Sequence, residues 1–272
     1  MMKTALTGVM SASRDLSVIS NNLANAMTVG FKRSTAQFVD VAGLSQNDIP
    51  NVNISQGAMT DVVRRSDSQG AIRTTSSALD LALVGPGHFV YADPNSTTAN
   101  STTEPTFIYS RSGEIQITAA GAIVDRSNGR PLMALNGGKL TALNLSSAVN
   151  GDISQVQSLG VNTKGVVSVV RTDGVVTPIG VLAIAHFNNE DGLKNQGGSA
   201  FTETDSSGPA LLGRANTGGL GSIQQGALED ANVDMTAEML RMIKAQQAYN
   251  ANSRALQTGS EMLRSTIENL IH

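Results

Sequence analysis

The two ends of the chain carry apolar residues at helical spacing, whereas the middle does not. Near the start, the apolar residues on one side of a helix with 3.6 residues per turn are Leu6, Val9, Leu16, Ile19 and Leu23. Val9, Leu16 and Leu23 are also seven residues apart, which is the spacing of a coiled-coil seam. The pattern predicts a first helix that ends at Gly30, because glycine commonly terminates helices, with Asn25 and Thr28 loosening its last turn.

The second helical pattern runs from about Met235 to Leu270 and contains no proline. One series repeats every seven residues: Met242, Tyr249, Leu256, Leu263 and Leu270. The flanking series mixes apolar and polar residues, which suits a helix packed on several neighbours: Met239, Gln246, Ser253, Ser260 and Ile267. Asp234 is the predicted N-cap, and the acidic Glu229 and Asp230 lie upstream, in solvated or capping roles that favour a helix start.

Short apolar or alternating runs fill the middle of the chain and predict β-strands at residues 62–64, 78–84, 89–92, 107–111, 114–118, 166–171 and 181–187. Glycine and asparagine tolerate positive φ, so four segments are predicted hairpin turns: 112–113, 128–129, 136–138 and 173–174. The glycine-rich segment 218–221 is a predicted flexible joint before the last helix.

The predicted fold class is therefore α+β, with discontinuous, coiled-coil-like N- and C-terminal helices flanking an inserted, mainly antiparallel β body. We expect three domains. Residues 1–30 and 233–272 form a helical polymerisation core, residues 31–84 and 210–232 a connecting β-containing domain, and residues 85–209 an outer β domain.

Composition narrows the function classes further. The 272 residues include no cysteine, so disulfides, thiolate nucleophiles and Cys-ligated metals are excluded. The formal net charge is −3 and the basic residues are scattered, which argues against nucleic-acid binding. No apolar run approaches the ~20 residues of a membrane helix, so no membrane insertion is predicted. The N-terminus makes a poor signal peptide, and we expect Met1 to start the mature structure and export to proceed without signal cleavage.

Catalytic and metal-binding patterns are missing from the sequence. His88, His186 and His272 are far apart, and no G-x-S-x-G elbow occurs. The segment Gly85 to Phe89 lacks the Lys-Ser/Thr pair of a phosphate-binding loop and is a predicted β-turn. We predict no catalytic residue, no cofactor, no metal site and no enzymatic activity.

Two motifs carry a resemblance to a known family. The first runs from Ser20 to Asn25 and continues through Thr28 to Arg33 and Phe38 to Asp40. The second runs from Gly226 to Asp234 and continues into the last helix. Together they resemble the signatures of the bacterial flagellar axial proteins, which are the subunits of the rod and the hook. The resemblance covers both ends strongly and the middle more loosely.

The resemblance implies a structural subunit that assembles helically into the flagellar basal-body rod, which spans the periplasm and transmits motor torque. It implies partners among copies of the same chain, neighbouring rod or hook proteins, the flagellar export apparatus and the rings around the rod. A short subunit of the extracellular hook is the alternative. The connection from Asp40 to Val62 is shorter than distal rod proteins usually have, so distal and proximal positions both stay open. A β-rich secreted adhesin or enzyme with coiled-coil oligomerising ends is the alternative of a different class.

Self-assembly would then use the terminal helices, because a repeated contact that does not close on itself builds an open filament. Tyr249 is the only aromatic residue of the last helix, and the asparagine-rich turn around Asn21, Asn22 and Asn25 could supply a hydrogen-bond partner for its hydroxyl. The residues predicted to mediate self-assembly are Leu6, Val9, Leu16, Ile19, Asn21, Asn22, Leu23, Met242, Tyr249, Leu256, Leu263 and Leu270.

Overall fold

The computed structural model describes residues 2–40, 57–93, 106–147 and 155–271. The chain divides into two compact units. The helical unit comprises residues 1–26, 33–66 and 233–272, and the β unit comprises residues 27–32 and 67–232. The two ends of the chain therefore share one unit, and the predicted fold class is confirmed. The further division of the middle into a connecting and an outer domain stays a prediction.

The helical unit consists of two helices and a β-hairpin. Helix α1 spans Met2–Ala24 and helix α2 spans Met235–Ile271. Strands β1 (Ser34–Asp40) and β2 (Ala58–Arg65) pair antiparallel, and their register shifts between Gln37 and Phe38. At ~1.5 Å per residue, α2 is about 55 Å long.

The ends of the helices agree only partly with prediction. Asp234 is the N-cap of α2, because its Oδ1 accepts hydrogen bonds from the backbone N–H groups of Thr236 and Ala237. Helix α1 was predicted to extend to Gly30, and this prediction is wrong. The helix ends at Ala24, where the Asn25 side chain donates to the Asn21 carbonyl and competes with further helical bonding.

Seventeen short strands make up the described part of the β unit: β3 Ile72–Thr74, β4 Leu81–Val84, β5 His88–Ala92, β6 Phe107–Ser110, β7 Ile115–Ile117, β8 Ile123–Asp125, β9 Met133–Asn136, β10 Lys139–Ala142, β11 Val156–Val161, β12 Val166–Arg171, β13 Val176–Val181, β14 Ala183–His186, β15 Lys194–Gly197, β16 Ala200–Thr202, β17 Leu211–Arg214, β18 Ser222–Gln225 and β19 Ala227–Glu229. The largest sheet has six strands in the order β15-β16-β6-β5-β14-β17. All of its pairings are antiparallel.

The β-unit core lies on both faces of the six-stranded sheet. Side chains alternate across a strand, so on β5 Phe89 and Tyr91 enter one apolar cluster while Val90 and Ala92 enter a second. On the neighbouring β14, Ile184 belongs to the first cluster. Burial on both faces explains why these strands read as continuous apolar runs in the sequence.

Of the four predicted hairpin turns, two join paired strands in the predicted way. Gly137 and Gly138, both with positive φ, connect β9 to β10, and Asp173-Gly174 lies between β12 and β13. Segment 128–129 also turns, because the Gly129 N–H donates to the Asp125 carbonyl.

The turn predicted at Ser112-Gly113 is wrong, since β6 and β7 belong to different sheets. A Cβ at Gly113 would clash with the Leu81 carbonyl oxygen, so this glycine permits close backbone approach instead. The predicted joint at residues 218–221 is also wrong. This segment is a turn between β17 and β18, and the Gly221 N–H donates to the Pro86 carbonyl.

Candidate assembly surface

Small residues let the two helices of the helical unit approach closely. A Cβ at Gly8 would lie 2.7 Å from the side chain of Asn252, and a Cβ at Gly259 would lie 3.1 Å from the side chain of Met2. Because the order of these contacts is reversed along the two helices, α1 and α2 run antiparallel. Residues 261–269, beyond these contacts, are all exposed.

The predicted α1 residues are buried to different degrees. Ile19 and Asn22 are fully buried, whereas Leu6 is exposed and Asn21 points to solvent. The remaining three are half-buried: Val9, Leu16 and Leu23. This face of α1 thus combines buried and accessible positions.

On α2, the predicted seven-residue series lies at the margin of the contact with α1. Met242 and Leu256 are half-buried, while Tyr249 and Leu263 are exposed. The side chain of Leu270 lies outside the described residues. The structure therefore buries Ile19 and Asn22 and leaves Leu6, Tyr249 and Leu263 accessible.

A different series on α2 faces α1, and sequence reasoning missed it. Glu238, Ala245 and Gly259 are buried and Asn252 is half-buried, and the four are seven residues apart. None of them is a large apolar residue, so a search for apolar repeats passes over them. The available signal was the regular recurrence of small and polar residues, which allows helices to pack closely.

A buried polar cluster closes the end of this contact. The Glu238 Oε1 lies 2.8 Å from Arg33 Nε and 3.3 Å from Arg241 Nη1, and its Oε2 accepts a 3.4 Å hydrogen bond from Asn22 Nδ2. Asn22 also exchanges two hydrogen bonds with the backbone of Ser34, at 2.7 and 2.9 Å. The side-chain amide of Asn22 is therefore committed to Ser34 and Glu238. A hydrogen bond from the asparagine-rich turn to the Tyr249 hydroxyl stays a prediction.

Asp15 on α1 lies beside the same cluster. Its Oδ1 is buried and has no hydrogen-bond partner among the described residues. Burial raises the pKa of this carboxyl, the nearby Arg241 lowers it, and the Glu238 carboxylate raises it again. The net direction is upward, so the cluster disfavours the ionised form of Asp15.

Large apolar side chains are exposed along both helices of the unit. The exposed set on α1 and α2 is Met2, Leu6, Met10, Met235, Met239, Leu240, Ile243, Tyr249, Met262, Leu263 and Ile267. The hairpin adds Phe38, Val39, Met59, Val62 and Val63. Large exposed apolar areas on a protein surface mark interaction sites. We call the helix residues of this set the apolar helix surface.

The comparisons with known proteins concern the same two helices. Residues 2–32 match the family model described as flagella basal body rod protein, and residues 224–270 match the one described as flagellar basal body rod FlgEFG protein C-terminal. The flagellar basal-body rod protein FlgG of Caulobacter vibrioides is 32% identical, over 97% of this chain and 97% of its own length. The chain belongs to the flagellar basal-body rod protein family. FlgG of Agrobacterium fabrum is 30% identical over 98% of this chain and 97% of its own.

Among solved structures, the Helicobacter pylori flagellar hook protein FlgE2 is 17% identical and covers 65% of this chain and 47% of its own. The TM-score is 0.24.

The two segments that match the rod family also carry a buried ion cluster inside the β unit. Glu229 Oε1 lies 2.6 Å from Lys32 Nζ and accepts a hydrogen bond from the Gly70 N–H, and Oε2 lies 3.3 Å from Arg111 Nη1. Glu229 was predicted to be a solvated or capping acid, and this is wrong. Its side chain is 1% exposed because it neutralises two buried cations.

Burial lowers the pKa of Lys32, while the charge of Glu229 and its hydrogen bond to the ammonium raise it. Lys32 also donates to the Ser68 carbonyl at 2.8 Å. This lysine therefore holds residues 27–32 on the β unit through two separate contacts.

The described residues of this rod-family chain contain no group of three or more His, Asp or Glu side chains that could hold a metal ion. His88 is buried against the rings of Phe187 and Phe201. His186 lies 3.7 Å from Glu190. Within the same described ranges, no helix is both long enough and apolar enough to cross a membrane.

Proposed function

We propose that this chain is a structural subunit of the flagellar basal-body rod, which assembles helically with its own copies and with neighbouring rod or hook proteins. The observation that carries the proposal is the apolar helix surface, which lies on the segments that match the rod family. The similarity to FlgG proteins over nearly the whole chain supports the rod rather than the hook.

In this proposal the apolar helix surface of one copy packs against other copies. Full burial of one large apolar side chain contributes about 1.5–3 kcal/mol, so a few such residues in each contact are enough to drive polymerisation. The contact is heterologous, and successive copies therefore build an open helical structure that can transmit torque. We assign no catalytic role, cofactor or metal to the chain.

The rod location sets the remaining partners. A subunit of the periplasm-spanning rod would be delivered by the flagellar export apparatus without cleavage of a signal peptide. The rings around the rod would then contact the assembled structure.

Electron microscopy of the purified full-length chain across a concentration series tests the proposal. We expect monomers at low concentration and helical filaments above a critical concentration, with sedimentation giving the polymer fraction. Replacing Leu6, Ile243 and Leu263 with serine should raise the critical concentration. Replacing three exposed polar residues of α2 (Lys244, Gln247 and Gln257) with serine provides the matched control. A closed oligomer whose size does not change with concentration would contradict the proposal and favour an oligomeric adhesin or enzyme.

A further inference from the structure

The contacts between α1 and α2 are spaced equally along the two helices. From Gly8 to Asn22 on α1 is 14 residues, and from Asn252 to Glu238 on α2, the residues that they contact, is also 14. Both distances equal two heptads, so the two contacts report a single register.

Apolar packing alone does not choose this register. The large apolar residues of α2 recur every seven positions, at Met242, Tyr249, Leu256 and Leu263, so a slide of one heptad would place a similar side chain at each point. The positions that face α1 differ from one heptad to the next, since they are Glu238, Ala245, Asn252 and Gly259. Only one of the four carries a charge.

The end of α1 offers a fixed site for that charge. Asn22 is held by its two hydrogen bonds to Ser34. Arg33, the residue that precedes Ser34, lies 2.8 Å from the Glu238 carboxylate. A buried carboxylate that loses such partners is strongly destabilising. The structure thus supplies a partner for Glu238 at this register.

Sliding α2 by one heptad has a cost in either direction. In one direction Ala245 would face Asn22, and both Asn22 and Arg33 would lose their acidic partner. In the other direction Glu238 would move opposite Asp15, seven residues before Asn22, and two carboxylates would meet in a partly buried site.

We infer that Glu238 is the residue that determines the register of α2 against α1, with Asn22 and Arg33 as its receptor. A single buried polar residue fixes register in coiled coils in the same way. The inference rests on the proposed function in one respect: a fixed register places the apolar helix surface at a defined position for other copies.

Intramolecular cross-linking tests the inference, because the chain has no cysteine of its own. The in-register pair is Met2→Cys with Gly259→Cys, and the pair displaced by one heptad is Met2→Cys with Thr266→Cys. In an otherwise unaltered full-length chain at low concentration, we expect the first pair to oxidise at least about tenfold more than the second, a ratio that corresponds to about 1.4 kcal/mol.

Glu238→Leu should bring this ratio close to one, and Glu238→Gln, which keeps an acceptor for Asn22, should retain more of the preference. Glu268→Leu, at an exposed acid of the same helix, should leave the ratio unchanged. Equal cross-linking of both pairs in the unaltered chain would overturn the inference. Loss of both cross-links in Glu238→Leu would also overturn it, because Glu238 would then hold the helices together without selecting their register.

The cross-linking experiment and the filament experiment that tests the proposed function can fail independently of each other. Selective cross-linking at 2–259 in a chain that never forms filaments would support the register and contradict assembly. Filaments formed by a chain with no register preference would support assembly and contradict the register inference.

Discussion

Glu229 and Lys32 are 197 residues apart in the chain, yet the Glu229 carboxylate lies 2.6 Å from the Lys32 ammonium and both side chains are buried. Arg111 completes the cluster on the other carboxylate oxygen. The cluster joins the two segments that match the rod family, and each of its members depends on the others for neutralisation.

We expect Glu229→Gln to destabilise the β unit by about 3–5 kcal/mol, because it leaves two buried cations without a counter-charge. Thermal or denaturant unfolding followed by circular dichroism measures the loss. Asp205→Asn, at an exposed acid of the same unit, is the matched control and should change stability by less than about 0.5 kcal/mol. Equal stability of the two variants would mean that solvent reaches Glu229.

Asp15 should make the stability of the helical unit depend on pH. Its pKa is raised above the ordinary value near 3.8, chiefly by burial. The folded unit therefore binds this proton more tightly than the unfolded chain does, and the contribution is fully present below the unfolded pKa. It is lost as pH rises through the raised, folded pKa.

The measurement is helical content against temperature at several pH values between about 4 and 7. We expect the difference in stability between Asp15→Asn and the unaltered chain to grow in favour of the variant as pH rises across this window. Arg241 and Glu238 also face Asp15, so Glu238→Gln should reduce the dependence. Parallel pH profiles for Asp15→Asn and the unaltered chain would contradict the assignment.

The sequence predicted both helices, and each of its seven predicted strand runs overlaps an observed strand, because these signals are local. Most of the nineteen strands of the described residues have no predicted run. Asp234 before an uninterrupted helical pattern defines the start of α2, and the glycine pair 137–138 defines a tight hairpin. The predicted end of α1 at Gly30 is wrong because the Asn25 side chain, which was expected only to loosen the last turn, ends the helix at Ala24.

The contacts that arrange these elements could not be predicted from local pattern. Glu229 reads as an exposed acid until Lys32 and Arg111 are brought to it from distant parts of the chain. Ala245 and Gly259 carry too little apolar surface to mark a packing face, and only the approach of α1 gives them that role. The intramolecular face of α2 therefore became visible only in the structure.

Deleting residues 261–272 should leave the rest of the chain folded and abolish polymerisation. The described side chains of this segment, at residues 261–269, are exposed, so their removal costs the monomer little. A full-length variant with Met262, Leu263 and Ile267 replaced by serine keeps the length and removes the apolar surface. Both variants should fail to sediment as polymer while retaining the thermal midpoint of the β unit. Filaments from either variant at the unaltered critical concentration would place the assembly contact elsewhere.

Replacing Tyr249 with alanine tests the apolar helix surface at a single residue. Tyr249 is 38% exposed, so its replacement should destabilise the isolated chain by less than the loss of a fully buried aromatic residue, which costs about 3–5 kcal/mol. If other copies cover the ring, the rest of the lost burial free energy weakens assembly. A tenfold rise in critical concentration corresponds to about 1.4 kcal/mol, and we expect at least that change.

Tyr249→Phe keeps the ring and should assemble nearly as well as the unaltered chain, unless the hydroxyl is bonded between copies. The critical concentration is to be measured together with the thermal midpoint of the β unit, which Tyr249 does not belong to. A lowered midpoint with unchanged assembly would remove Tyr249 from the surface and, with it, the link between this helix face and polymerisation.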